Sequence, residues 1–183
     1  MMRPKGGRVP LLLLLLALPA FLAQTACPEA TPGGLSVFGQ QEGSSCGRPF
    51  TPLAECALSG GPSLGPEVRV LEDDVAWYDF WHQEVDCGAD TPEYDRDLLD
   101  FSRSVVLVAI GGLRLNNCFS GRIVCIEEAG DGSNDLNVVI EESTPGRGCL
   151  CGDMLQTWIS AAMVDRPVGR VTLEIVPVVY DCQ

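Results

Sequence analysis

Nine cysteines in 183 residues, set behind a basic and then apolar amino terminus, constrain this chain more than any other feature. Arg3, Lys5 and Arg8 precede a nearly unbroken apolar run from Leu11 to Ala23. A helix over that run would be roughly 20 Å long, short of the roughly 30 Å hydrocarbon core of a bilayer. The pattern is that of a secretory signal peptide over residues 1–26 rather than a membrane span. Export would deliver the cysteines to an oxidising compartment, where they close disulfides that staple a fold.

Gln24-Thr25-Ala26-Cys27 resembles a lipobox, with small Ala26 before the cysteine, although Gln24 stands where an aliphatic residue is usual. Cys27 is therefore read as a lipidation site. That leaves Cys46, Cys56, Cys87, Cys118, Cys125, Cys149, Cys151 and Cys182 as disulfide candidates, an even number with 105 possible pairings. The alternative is that Cys27 pairs with one of these and leaves one thiol free.

Twelve Lys and Arg stand against 25 Asp and Glu, a net charge of −13. Such a chain does not seek phosphate backbones, so nucleic acid is excluded as a main partner. Anionic membrane surfaces would repel it too, which leaves a lipid anchor as the membrane attachment. At 46% hydrophobic residues the chain can still build a sizeable core.

Residues 27–66 are rich in proline and glycine, a composition that breaks helices and favours turns. One short strand is expected near Leu35–Phe38 and irregular structure after it, with Cys46 and Cys56 placed to staple a loop. Residues 67–183 read as one disulfide-bearing domain. Glu67 to Leu71 alternates polar and apolar, a strand signal. Asp73 or Asp74 can cap a following helix whose apolar stripe is Ala76, Trp77, Phe80 and Trp81, with Asp79 and Gln83 on the polar side. An acidic loop spans 86–97. Strands are then expected at Val105–Ile110, at Arg122–Glu127 and Leu136–Glu141 around the turn 130–135, at Thr157–Val164 and at Arg170–Val176. The fold class is mainly β within α+β: an antiparallel β-sandwich or partly open barrel with one packed helix.

Residues that could carry chemistry are few. His82 is the only histidine, and no Gly-x-Ser-x-Gly elbow accompanies it, so it reads as a surface residue. Cys149-Leu150-Cys151 could chelate a metal or form a strained redox disulfide, but an exported chain favours two structural disulfides; with Leu150 in a strand, both sulfurs would face one way and bridge to different partners. Asp131-Gly132-Ser133-Asn134-Asp135 partly imitates a calcium loop, yet Leu136 stands where the tight turn needs glycine. A hairpin turn fits better. Glu127-Glu128 and Glu141-Glu142 could supply a glycosidase pair, or more simply a solvated sheet edge. Trp77 and Trp81 fit a core, and with Trp158 they could otherwise stack on a sugar. No catalytic residue, metal or cofactor is expected.

Two stretches together resemble a known family. Val68-Arg69-Val70-Leu71 leads to Asp74-Val75-Ala76-Trp77 and Phe80-Trp81. Leu99-Asp100-Phe101-Ser102 leads to Val105-Val106-Leu107-Val108-Ala109-Ile110-Gly111, and Ser143-Thr144-Pro145-Gly146 follows with Gly148 behind it. In this order they resemble the strand, helix, strand and turn of the protease complex subunit PrcB family. Where that family typically carries a glycine-containing loop, this chain reads Arg114-Leu115-Asn116-Asn117-Cys118-Phe119-Ser120. The resemblance implies a non-catalytic exported accessory domain in the bacterial cell envelope or outside the cell. Its partner would be an envelope or secreted protein, such as a protease or its complex. Arg114, Asn116, Asn117 and Phe119 are the candidate partner-binding residues. Two other readings stand beside it: an immunoglobulin-like protease inhibitor presenting residues 113–120, and a carboxylate-based hydrolase using Glu127 and Glu141.

Overall fold

The computed structural model describes residues 46–59, 63–85 and 99–182, with the side chains of 58 and 59 excepted. The expected signal peptide, Cys27, the strand expected near Leu35–Phe38, the loop expected over 86–97 and Cys87 lie outside the described residues. All described residues belong to one compact unit.

Among the described residues, eight strands and one short α-helix follow one another: β1 (Phe50–Ser59), β2 (Glu67–Leu71), α1 (Asp74–Asp79), β3 (Ser104–Ile110), β4 (Arg114–Asn116), β5 (Ser120–Glu128), β6 (Leu136–Pro145), β7 (Asp153–Asp165) and β8 (Val171–Tyr180). One sheet has the order β1-β7-β3-β2, with β4 also paired to β7; the other has the order β5-β6-β8. β1 approaches β5 and β2 approaches β8, so the two sheets form a partly closed sandwich. Mainly β architecture with a packed helix is what the sequence pattern predicts.

β3 explains the layering. All seven of its residues are buried, which requires cover on both faces. Val106, Val108 and Ile110 face α1 and its continuation, in a core with Trp77, Phe80, Trp81, Ile159 and Ala161. Val105, Leu107 and Ala109 face the second sheet, in a core with Ile123, Ile126, Val138, Ile140 and Trp158. One central sheet thus serves two apolar layers, because side chains alternate along a strand.

The helix begins where its sequence says it should. Asp73 is the cap, and its Oδ1 accepts from the Ala76 amide at 2.8 Å. After Asp79 the chain widens into a π-helical turn, Phe80–Glu84. The stripe survives this change of pitch: Trp77, Phe80 and Trp81 are buried, with the two tryptophan rings 5.2 Å apart. Asp79 and Gln83 stay outside and share a hydrogen bond.

Several elements depart from the sequence pattern. The stretch expected to be irregular contains β1, a ten-residue strand paired along β7 from Phe50↔Val164 to Ser59↔Gln156. Its Pro52 falls at an irregularity in the register, where a missing amide is tolerated. β4 occupies part of the expected 113–120 loop. β6 pairs with β8 in parallel, while the other strand pairs are antiparallel. β8 also runs on through Pro177. Tyr180 and Arg170 turn their carbonyls toward Gly146 and Leu136, so alternate residues, Pro177 among them, direct their backbone nitrogens to the outer edge. A proline there removes a donor from an edge that could otherwise recruit another strand.

The 129–135 connection is a hairpin turn. The Ala129 amide donates to the Asp135 carbonyl at 3.0 Å, and Asn134 adopts a φ of 58°. The hydroxyl and amide of Ser133 hold the Asp131 carboxyl below its ordinary range. This carboxylate is thereby engaged in the turn itself.

Candidate functional site

The chemistry-bearing residues gather at the end of the sandwich where β4 meets the start of β7. β4 is a short extended segment laid beside β7, with Arg114 opposite Gln156 and Asn116 opposite Asp153. Beneath it lies Trp158, 1% exposed. Its indole fits because Gly111 and Gly121 flank it: a Cβ on either would fall within 2.5 Å of a ring atom. Both positions therefore exclude every other residue.

The indole Nε1 donates to Glu142 Oε1 at 2.7 Å, and Arg114 donates to the same oxygen from Nε at 3.0 Å and Nη2 at 2.6 Å. Glu142 is only 5% exposed. A buried carboxylate is costly unless paired and hydrogen-bonded, and Arg114 and Trp158 meet that condition. The expectation of a wholly solvated acidic edge fails at this residue. Alternation along β6 turns Glu142 inward and leaves its neighbour Glu141 outward, bonded to Arg122 at 2.9 Å.

The segment above this pair is fastened at every turn. Cys118 is bonded to Cys151, and Cys149 to Cys182. Asn117 exchanges two hydrogen bonds with Gly152: its amide donates to the Gly152 carbonyl at 3.3 Å, and its Oδ1 accepts from the Gly152 amide at 2.7 Å. Asn116 Oδ1 accepts from the Cys118 amide. Gln156 Nε2 donates to the Phe119 carbonyl at 2.8 Å, and the Tyr180 hydroxyl donates to the Cys118 carbonyl at 2.8 Å. The Arg114 guanidinium also lies 5.6 Å from the Phe119 ring centre.

Arg114, Asn116, Asn117 and Phe119 are thus brought together at one tip, and each helps to hold it. Two apolar side chains stand out from the tip: Leu115, 77% exposed, and Leu150, 86% exposed on the neighbouring 149–152 segment; the sequence did not single out Leu115. Glu142, Gln156, Trp158 and Tyr180 were also missed as members. The available signal for Glu142 was its inward place in the alternation of β6, beside an acidic twin.

The cysteines pair differently from the simplest reading. Cys46 bonds Cys125 on β5 rather than stapling a loop with Cys56. The backbone follows, with Gly47 bridging to Ile126 and the Arg48 amide donating to its carbonyl at 2.7 Å. Cys56 is disulfide-bonded as well. Cys149 and Cys151 do bridge to different partners, although Leu150 lies outside any strand.

The other candidates lie apart from the tip. His82 is exposed and packs on Tyr78, with ring centres 4.2 Å apart. Glu127 stands opposite Asn137, four residues along β6 from Glu141. Their backbone positions therefore lie about 13 Å apart along the strands at about 3.3 Å per residue, whereas a glycosidase pair holds its carboxyl groups roughly 5–9.5 Å apart. Among the described residues no cluster of His, Cys, Asp and Glu could hold a metal ion. No helix of the described residues is long and apolar enough to cross a membrane.

The disulfides fit an oxidising location, extracellular or in the envelope. No family model, curated protein or solved structure matches the chain.

Proposed function

We propose that this chain is an exported, non-catalytic accessory domain that contacts another protein through the tip built from residues 113–120 and 149–152. The observation that carries the reading is the fastening of that tip. Two disulfides, an enclosed Arg114–Glu142 pair and backbone hydrogen bonds hold a segment whose Leu115 points into solvent. A segment already held in place loses little freedom on binding, and each side chain that needs no ordering spares about 0.5–1.5 kcal/mol. The resemblance to the PrcB family supports the same reading: a lipid-anchored envelope protein, acylated at Cys27, assisting a protease complex. The net charge of −13 fits a protein partner better than nucleic acid or an anionic membrane.

The test is crosslinking in the native envelope followed by capture of the full chain, with Leu115→Asp as the control. A partner captured by the native chain and lost with Leu115→Asp supports the proposal. A monodisperse monomer that captures nothing, or capture unchanged by the substitution, overturns it.

A second reading is favoured by one specific feature. Arg114–Asn116 is extended, Leu115 projects from it, and a disulfide follows two residues on at Cys118. Proteases read extended backbone with one side chain in a pocket, so the tip could inhibit a protease with an apolar specificity pocket. A panel of serine and cysteine proteases tests this; no inhibition at micromolar chain removes it.

A further inference from the structure

Two disulfides meet in the three residues Cys149-Leu150-Cys151. One leads to Cys118 in the tip and the other to Cys182 at the end of β8. The three residues belong to no strand, and Gly148 before them has a φ of +79° while Gly152 follows them. Leu150 is 86% exposed, so no packing holds the middle of the segment. Cys182 is exposed, whereas Cys118, Cys149 and Cys151 are partly covered. Of the two bonds, the one ending at Cys182 is the more open to an external thiolate, and attack on a disulfide depends on access to its sulfur. One residue separates Cys149 from Cys151. Two chain steps span at most about 7 Å, so these cysteines remain within reach of each other in any conformation that brings their Cβ atoms together.

We propose that Cys149-Leu150-Cys151 is a disulfide-exchange element through which a dithiol acting at Cys182 releases Cys118 and unfastens the tip. The first thiolate of the dithiol bonds to Cys182 Sγ, and Cys149 Sγ leaves as a thiolate. Cys149 Sγ then attacks Cys151 Sγ. The Cys149–Cys151 bond forms, the Cys118–Cys151 bond breaks, and Cys118 leaves as a thiolate and takes up a proton. The second thiol of the dithiol displaces Cys182 and closes the dithiol's own disulfide; Cys182 then also takes up a proton. In total one dithiol is oxidised and one protein disulfide is reduced, leaving Cys118 and Cys182 as thiols. Loss of the Cys182 and Cys118 links loosens both ends that Tyr180 and Asn117 hold against the tip.

The chemistry stands on the arrangement of the disulfides alone; its consequence for a partner rests on the function proposed above. The full exported chain is treated with dithiothreitol for graded times, quenched in acid, alkylated and mapped by peptide mass. The first species with two alkylated cysteines is expected to carry them at Cys118 and Cys182, with Cys149 linked to Cys151. Alkylation at Cys149 and Cys182 with Cys118–Cys151 intact overturns the proposal, as does alkylation at Cys118 and Cys151 first. Cys182→Ala gives a second reading without reductant. Its free thiol is expected mainly at Cys118, and a free thiol confined to Cys149 overturns the proposal. Failure of either experiment leaves the partner-capture result untouched, so the two ideas fail separately.

Discussion

The helix-covered core and the tip lie on the same central sheet, yet they are held by opposite means. Under α1 the contacts are apolar: Trp77, Phe80 and Trp81 close over Val106, Val108 and Ile110. At the tip a buried carboxylate, a guanidinium, an indole N–H and two disulfides do that work. Apolar burial is non-directional and tolerates rearrangement while volume is kept. Hydrogen-bonded and covalent fasteners fix one geometry and lose their value once a single member is removed. A domain that needs only to fold can rely on the first. A surface that must keep one shape gains from the second.

The comparison breaks most sharply at Trp81. The side chain is 2% exposed and stacked on Trp77. Trp81→Ala is expected to cost about 3–5 kcal/mol through lost burial and the cavity left behind. Urea unfolding would show it as a lower midpoint, with the disulfides intact by mass. A cost below about 1 kcal/mol would mean that this layer is not what holds the helix.

Next comes the covalent side. Replacing both Cys118 and Cys151 by alanine opens a loop of sequence separation 33. Closing a loop of that length in the unfolded chain is worth about 3–4 kcal/mol. The signature should be local as well as global: amide exchange quickens at Asn117 and Gly152 before it does in β3. Uniform quickening would show that the tip and the sandwich open as one.

What the sequence made legible follows the same division. β5, β6 and α1 announce themselves because each buries a face at a regular period, and β3 because it is an unbroken apolar run of strand length; both signals are local. The 130–135 turn is local for the same reason. β1 was missed because Pro52, Glu55 and Cys56 carry no clean alternation; its strand geometry is imposed by pairing with β7, far along the chain. The parallel pairing of β6 with β8 and the Cys46–Cys125 bond depend on topology alone. In the sequence Glu142 looks like one of four solvated acids, since no local rule says that Arg114 and Trp158 will meet it. Arg114 was legible as a candidate, but its partners were not, so its direction could not be known. Leu115 was invisible, because an exposed leucine in sequence looks like a buried one.

The polar side of the tip is tested at Glu142 against its neighbour. Glu142→Gln keeps an oxygen for the indole but removes the charge facing Arg114. The Arg114 side chain is 24% exposed, so water offsets part of the loss, and about 2 kcal/mol is expected. Glu141→Gln breaks a pair whose members are 32% and 58% exposed, and should cost under about 1 kcal/mol. Equal costs would show that burial of Glu142 contributes nothing to the fastening of the tip.

The smallest effect concerns a carboxylate held without such an arrangement. Glu55 lies on β1 at an exposed position; crowding by neighbouring atoms raises its carboxyl above the ordinary value, the charge of Arg122 acts in the opposite direction, and water screens both, so the effect on stability is small. A carboxyl with a raised pKa in the folded chain binds its proton at a pH where the unfolded chain has released it. Its ionised form therefore costs stability, a cost absent below the unfolded pKa and growing as pH rises through the folded one. Glu55→Gln should stabilise the chain at neutral pH, and the difference should vanish as the solution is brought below the ordinary carboxylate range. Thermal melts of the two chains across that range measure it. Destabilisation at neutral pH would mean that Arg122 outweighs this crowding, and that Glu55 is a fastener of the kind seen at Glu142.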